Sequence, residues 1–145
     1  MTRVIGVGSP FGADRLAWVA IDHLHGLGLA GCELIKLDRP GSLLLAQFQG
    51  AETVVLLDAL VSEEAPGCAS PLTLEELQQA GGATSSHGFG VAQALVLAAR
   101  LGELPPRLHI IGLHTGANPA ELPELDRESL ESTLLPLLSR VKPSG

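Results

Sequence analysis

Thr53-Val54-Val55-Leu56-Leu57, followed at once by Asp58, is the stretch that decides the fold. Five apolar or β-branched residues with no polar interruption suit a strand buried on both faces, as in a parallel sheet covered by helices on each side. Working outward, Val4 to Val7 is a shorter run of the same kind, punctuated by Gly6 and Gly8. After Ser9-Pro10-Phe11-Gly12 the period becomes helical, with Leu16, Val19, Ala20, Leu24 and Leu27 on one face. Cys32 to Leu37 reads as a strand ending at Asp38, and Leu43 to Phe48 as a helix after the Pro40-Gly41-Ser42 turn. Further on, Leu72 and Leu74 suggest a short edge strand and Glu75 to Ala80 a short helix. Ser85 and Ser86 are candidate caps for a helix from His87 to Leu101, whose Val91, Ala94, Leu95, Ala98 and Leu101 share a face. Leu108 to Leu113 is a further strand, and Asp126 to Arg140 a helix that Pro136 should kink or end.

Strands alternating with helices predict an α/β fold: a three-layer α/β/α sandwich around a mostly parallel, twisted sheet of about five strands, Rossmann-like in outline. The 145 residues suffice for one domain, 1–145, with one core. Hydrophobic residues make up 46% and aromatic ones 3%, so that core is aliphatic. A formal charge of -7 without clustered Lys or Arg argues against a nucleic-acid partner. Cys32 and Cys68 are too few for a disulfide framework, and the sequence offers no leader-like segment or membrane-length apolar run. A cytoplasmic protein is expected.

In such folds the site lies beyond the carboxyl ends of the strands. Asp14 follows the first strand, while Asp38 and Asp58 close the second and third. Carboxylates gathered at one edge repel one another unless a cation, a shared proton or a donor compensates. His87 would add a nitrogen ligand or proton acceptor, and carboxylate with imidazole suits zinc or nickel better than magnesium or calcium. Each residue also has an ordinary reading: Asp14 as a helix cap, Asp38 as a turn former, His87 as decoration of a helix start. Asp58, between Leu57 and Ala59, is the hardest to explain as idle. His114, ending its strand, is a reserve candidate, whereas His23, His25 and His109 read as structural or surface residues. A competing possibility is that the Gly6-Val7-Gly8-Ser9-Pro10-Phe11-Gly12 turn binds a dinucleotide, with Asp38 on the ribose. Phe11 at the third glycine position, Pro10 without an N–H and the negative Asp14 all speak against it.

The string from Gly6 to Asp14 resembles the N-terminal signature of the endopeptidases that mature nickel-iron hydrogenases, roughly G-x-G-N-x-x-x-G-D-[DE]-G-x-G. With one residue deleted before Gly12, Asp14 falls on the second acidic position, a metal ligand in that family; without the deletion, Arg15 falls there. Leu56-Leu57-Asp58-Ala59 is similar to the family's second acidic motif, Ser86-His87-Gly88 to its histidine motif, and Asp38-Arg39-Pro40-Gly41-Ser42 to its D-G-G-T-x-G turn. Ser9, Ala13 and Arg15-Leu16-Ala17 depart from the pattern. The resemblance runs to about Leu113. It implies a phosphorylase/hydrolase-like fold and a monomeric aspartic-type protease that removes the C-terminal extension of a hydrogenase large-subunit precursor once nickel has been inserted. It further implies that Asp14, Asp58 and His87 are both the catalytic and the metal-engaging set, with Asp38 and His114 in support or reserve. The nickel belongs to the substrate, cadmium or zinc could substitute for it, and no cofactor is permanently bound. Water, activated by a carboxylate, is the expected nucleophile. A non-catalytic, divergent member of the same family is the other alternative.

Overall fold

The apolar run at 53–57 becomes the middle of the sheet. The computed structural model describes residues 1–38, 41–84, 90–116, 118 and 120–139. Its strands are β1 (Thr2–Gly8), β2 (Cys32–Asp38), β3 (Thr53–Val61), β4 (Ala69–Leu72) and β5 (Arg107–Thr115), in the order β2-β1-β3-β5-β4. All pairs are parallel except β4 with β5. The helices are α1 (Leu16–Gly26), α2 (Gly41–Ala46), α3 (Leu74–Thr84), α4 (Val91–Leu101) and α5 (Arg127–Ser139). The expected α/β fold with a mostly parallel five-stranded sheet is observed.

Strand alternation sorts the core into two layers. Ile5, Val7, Val54, Leu56 and Ile110 face α2, α3 and α4 through Leu44, Leu77, Ala94, Leu95 and Ala98. Val4, Val55, Leu57, Ile111 and Leu113 face α1 and α5 through Leu16, Ala17, Ile21, Leu24, Leu130 and Leu134. Residues 54 and 56 serve one layer and 55 and 57 the other, which explains why these four positions are all aliphatic. Gly6 lets α1 lie close on β1, since an added Cβ would come within 2.7 Å of Ile21 Cγ1 and 2.8 Å of the Ala17 carbonyl oxygen. Gly6→Ala is expected to cost about 1–3 kcal/mol through overpacking, measured as a lower denaturant midpoint.

Several boundaries differ from the sequence reading. β3 does not end at Asp58 but continues to Val61, because Ala59, Leu60 and Val61 still pair with Leu113, His114 and Thr115 of β5. Likewise β5 runs to Thr115, so His114 lies inside the strand. Leu27 falls beyond α1 and is exposed, and Ile21 takes its place on the buried face. The helix expected to start at His87 begins at Val91, where Gln93 Oε1 accepts the Gly90 N–H at 2.9 Å. The proposed caps Ser85 and Ser86 lie outside the described residues. β4 lies slightly upstream of its expected position, and α3 starts with a reciprocal cap between Thr73 and Glu76 at 2.8 and 3.0 Å. Pro136 sits within α5 and does not end it. The α5 N-terminus is secured by Asp126, whose Oδ1 accepts the Ser129 N–H at 3.0 Å. Ser129 Oγ in turn accepts the Ala69 N–H at 2.8 Å and donates to the Ala69 carbonyl at 3.1 Å. No helix among the described residues is long and apolar enough to cross a membrane.

Candidate active site

The chain leaves β1 toward β2 on one side, then returns to place β3 on the other, so the strand order reverses between β1 and β3. Such a switch point opens a crevice at the carboxyl edge of the sheet. Here β1 stops at Gly8, with Val7 opposite Asp58, while β3 runs on beside β5. A 3-10 turn, Gly12–Arg15, packs against β3 at this step. Gly8 permits it, because a Cβ there would collide with the Asp14 carbonyl oxygen. A positive φ of 57° at Gly12 then turns the chain into the 3-10 segment.

The turn brings Asp14 to Asp58. Burial in the crevice is the larger cause, and the Asp14 charge the second, of an Asp58 pKa pushed up from 3.8 to about 7; the Ala59 N–H opposes both by bonding the carboxylate. Arg15, the other candidate for the first ligand position, is exposed, whereas Asp14 is half-buried. Among the described residues no three His, Cys, Asp or Glu side chains form a metal-sized cluster. Asp14 and Asp58 are therefore a two-carboxylate set as far as the description extends. His87, named as the third member, lies outside the described residues. Asp38 is placed at the same edge, opposite Gly8, and is exposed.

His114, the reserve ligand, has a different role. It is buried, with Ser62 Oγ 2.6 Å from Nδ1 and Ser70 Oγ 2.7 Å from Nε2. In the neutral ring one nitrogen donates to its serine and the other accepts from the second serine, and Ser62 Oγ also accepts the Glu64 N–H at 3.1 Å. Both ring nitrogens are used in tying the end of β3 to β4. Burial holds the His114 pKa below its usual 6.5, against an upward pull from Glu64. A histidine kept neutral by the fold stabilises it fully above the unfolded pKa, and that contribution is lost as pH falls through the lower folded value. Wild type is thus expected to lose stability relative to His114→Gln as pH falls below about 6.5, as read from paired thermal melts. His23, as expected, is structural: its Nε2 lies 2.7 Å from Glu131 Oε2, linking α1 to α5.

The sequence reading missed Ser62 and Ser70 altogether. Ser70 reaches His114 through the antiparallel register of β4, in which it lies opposite Gly112, and Ser62 from just beyond the end of β3; no local pattern encodes either.

No protein-family model and no curated protein sequence matches the chain. Solved structures do. The hydrogenase maturating endopeptidase HybD from E. coli is similar at 22% identity and a TM-score of 0.59, over 99% of this chain and 93% of that one. The [NiFe] hydrogenase maturation protease HybD from Thermococcus kodakarensis gives 20% and 0.63, over 97% and 99%. The protease HycI from Thermococcus kodakarensis KOD1 gives 18% and 0.64, over 97% and 90%. Identity this low with coverage this complete speaks to architecture: the chain has the fold of the [NiFe] hydrogenase maturation proteases.

Proposed function

We propose that this chain is an endopeptidase that removes the C-terminal extension of a nickel-iron hydrogenase large-subunit precursor after nickel insertion. The observation that carries the reading is the meeting of Asp14 and Asp58 at the switch point of a sheet with this fold. Two carboxylates in a half-buried crevice are mutually unfavourable when both are ionised, and a divalent ion delivered by the substrate relieves that repulsion. Asp14 and Asp58 would engage the substrate's nickel, with His87 as the third ligand, so that only a loaded precursor is seated for cleavage. A carboxyl group with a pKa near neutrality is also suited to taking a proton from the attacking water. The enzyme would work as a cytoplasmic monomer on a protein substrate. The test is incubation of the purified protein with nickel-loaded and metal-free precursor: cleavage confined to the loaded form is expected, and equal cleavage of both would exclude nickel recognition.

The dinucleotide reading loses ground on geometry. Where a phosphate-binding turn keeps its second glycine clear for the pyrophosphate, Gly8 is covered by the Asp14 carbonyl, with the Asp14 carboxylate in the same turn. Addition of NAD(P) is accordingly expected to leave the melting temperature unchanged.

A further inference from the structure

Arg15 follows Asp14 in the 3-10 turn, is exposed, and its guanidinium makes no ion pair or hydrogen bond among the described residues. Exposed arginines are ordinary, but this one is poorly explained as a solvated surface charge. Acidic residues outnumber Lys and Arg by 16 to 9, and two other described cations have found carboxylates, Arg3 on Glu33 and Lys36 on Asp22, each at 2.7 Å. Arg15 has Asp14 beside it in sequence and Asp38 at the same edge, and pairs with neither. It does nothing for α1 either. Standing at the N-cap of that helix, it forms no side-chain cap and puts a positive charge at the end that favours a negative one. The turn nevertheless holds it in place, for Ala13 and Leu16 on either side are buried and Gly8 and Gly12 fix the path of the chain. Burial, Asp14 and the Ala59 N–H are what act on Asp58, so the guanidinium does not neutralise the pair of acids.

We propose that Arg15 is a specificity-determining residue that binds a carboxylate of the polypeptide substrate at the mouth of the Asp14–Asp58 crevice. This rests on the endopeptidase reading and narrows its substrate to a chain with an acidic group close to the processed bond. Charge complementarity identifies that group. Once a divalent ion carried by the substrate offsets Asp14 and Asp58, Arg15 is left as a positive rim beside them, while the exposed Asp38 repels an anion from the β2 side. A planar guanidinium takes a carboxylate through two parallel N–H···O bonds. An Asp or Glu side chain and the terminal carboxylate of the extension offer the same chemistry. Because the contact is exposed and away from the reacting atoms, it adds to encounter and binding and leaves the chemical step alone.

The test measures cleavage of a nickel-loaded hydrogenase large-subunit precursor by wild type, Arg15→Gln, Arg15→Glu and Arg100→Gln. Arg100, exposed in the last turn of α4 at the opposite edge of the sheet, controls for net charge. At about 50 mM salt Arg15→Gln is expected to raise KM about threefold to fivefold and Arg15→Glu about tenfold or more, with kcat within about twofold and both effects fading at about 1 M salt. Arg100→Gln should match wild type, and neither Arg15 variant should melt at a lower temperature. Two altered precursors name the source of the carboxylate, one with the Asp and Glu residues of its extension changed to Asn and Gln, the other with an amidated C-terminus. One of them should show the same rise in KM with wild type and no further rise with Arg15→Gln. If neither does, if KM is unaltered in Arg15→Glu, or if Arg100→Gln raises it equally, the carboxylate contact is overturned and the endopeptidase reading stands. A wild type that does not cleave the precursor overturns that reading and the contact with it.

Discussion

Asp58→Asn is expected to melt at a higher temperature than wild type at pH 8 while losing precursor cleavage by about a hundredfold or more. The two effects share one cause. The folded protein holds the Asp58 pKa at about 7 against 3.8 for the free group, so the fold favours the protonated acid. Stability from this preference is complete below about pH 3.8, falls as pH rises, and is gone above about pH 7, where ionised Asp58 burdens the crevice. Asparagine keeps the shape and carries no charge. Allowing for solvent at the partly exposed site, its gain above pH 7 is on the order of 2 kcal/mol, or about 5 °C in melting temperature. Below about pH 4 the two proteins should melt alike. Paired melts across this range and a cleavage assay check both halves: a variant that is destabilised at pH 8, or that still cleaves normally, would contradict the role given to Asp58.

Asp14→Asn should come close to that loss of cleavage, about a hundredfold, whereas Arg15→Gln should stay within a few-fold of wild type. The contrast follows from the turn: Asp14 reaches the crevice with Asp58, and its neighbour is exposed. Removing the Asp14 charge also removes one of the two causes that raise Asp58. The Asp58 titration, followed by carboxyl NMR or by the pH dependence of stability, should therefore move to lower pH in Asp14→Asn and hold its position in Arg15→Gln. If Arg15→Gln abolished cleavage and Asp14→Asn did not, the site would have to be rebuilt around Arg15.

How far the sequence announces all this depends on how local the cause is. Residues 54–57 declare themselves because each side chain enters one of two aliphatic layers, so burial leaves its mark on every position. Asp58 looks like a strand terminator because it is the first charged residue of the strand. The strand nevertheless continues, since β5 alone suffices to pair Ala59 to Val61 after β1 has stopped. The meeting of Asp14 and Asp58 could be anticipated because both follow from one rule about strand ends in parallel sheets. The role of Gly8 could not: its lack of a side chain matters only once the Asp14 carbonyl lies over it. His114 shows the same limit, for its serine partners arrive from β4 and from beyond β3.

β4 bears on a different matter, the behaviour of the protein at high concentration. A sheet margin with unpaired N–H and C=O groups is a template for recruiting strands of other molecules. On this margin the strand is four residues long, Pro71 has no N–H to offer, and both backbone groups of Ala69 are bound to the Ser129 hydroxyl. Strand-by-strand association is thereby blocked at β4, and the opposite margin, β2, is left as the side of the sheet where aggregation has to be guarded against.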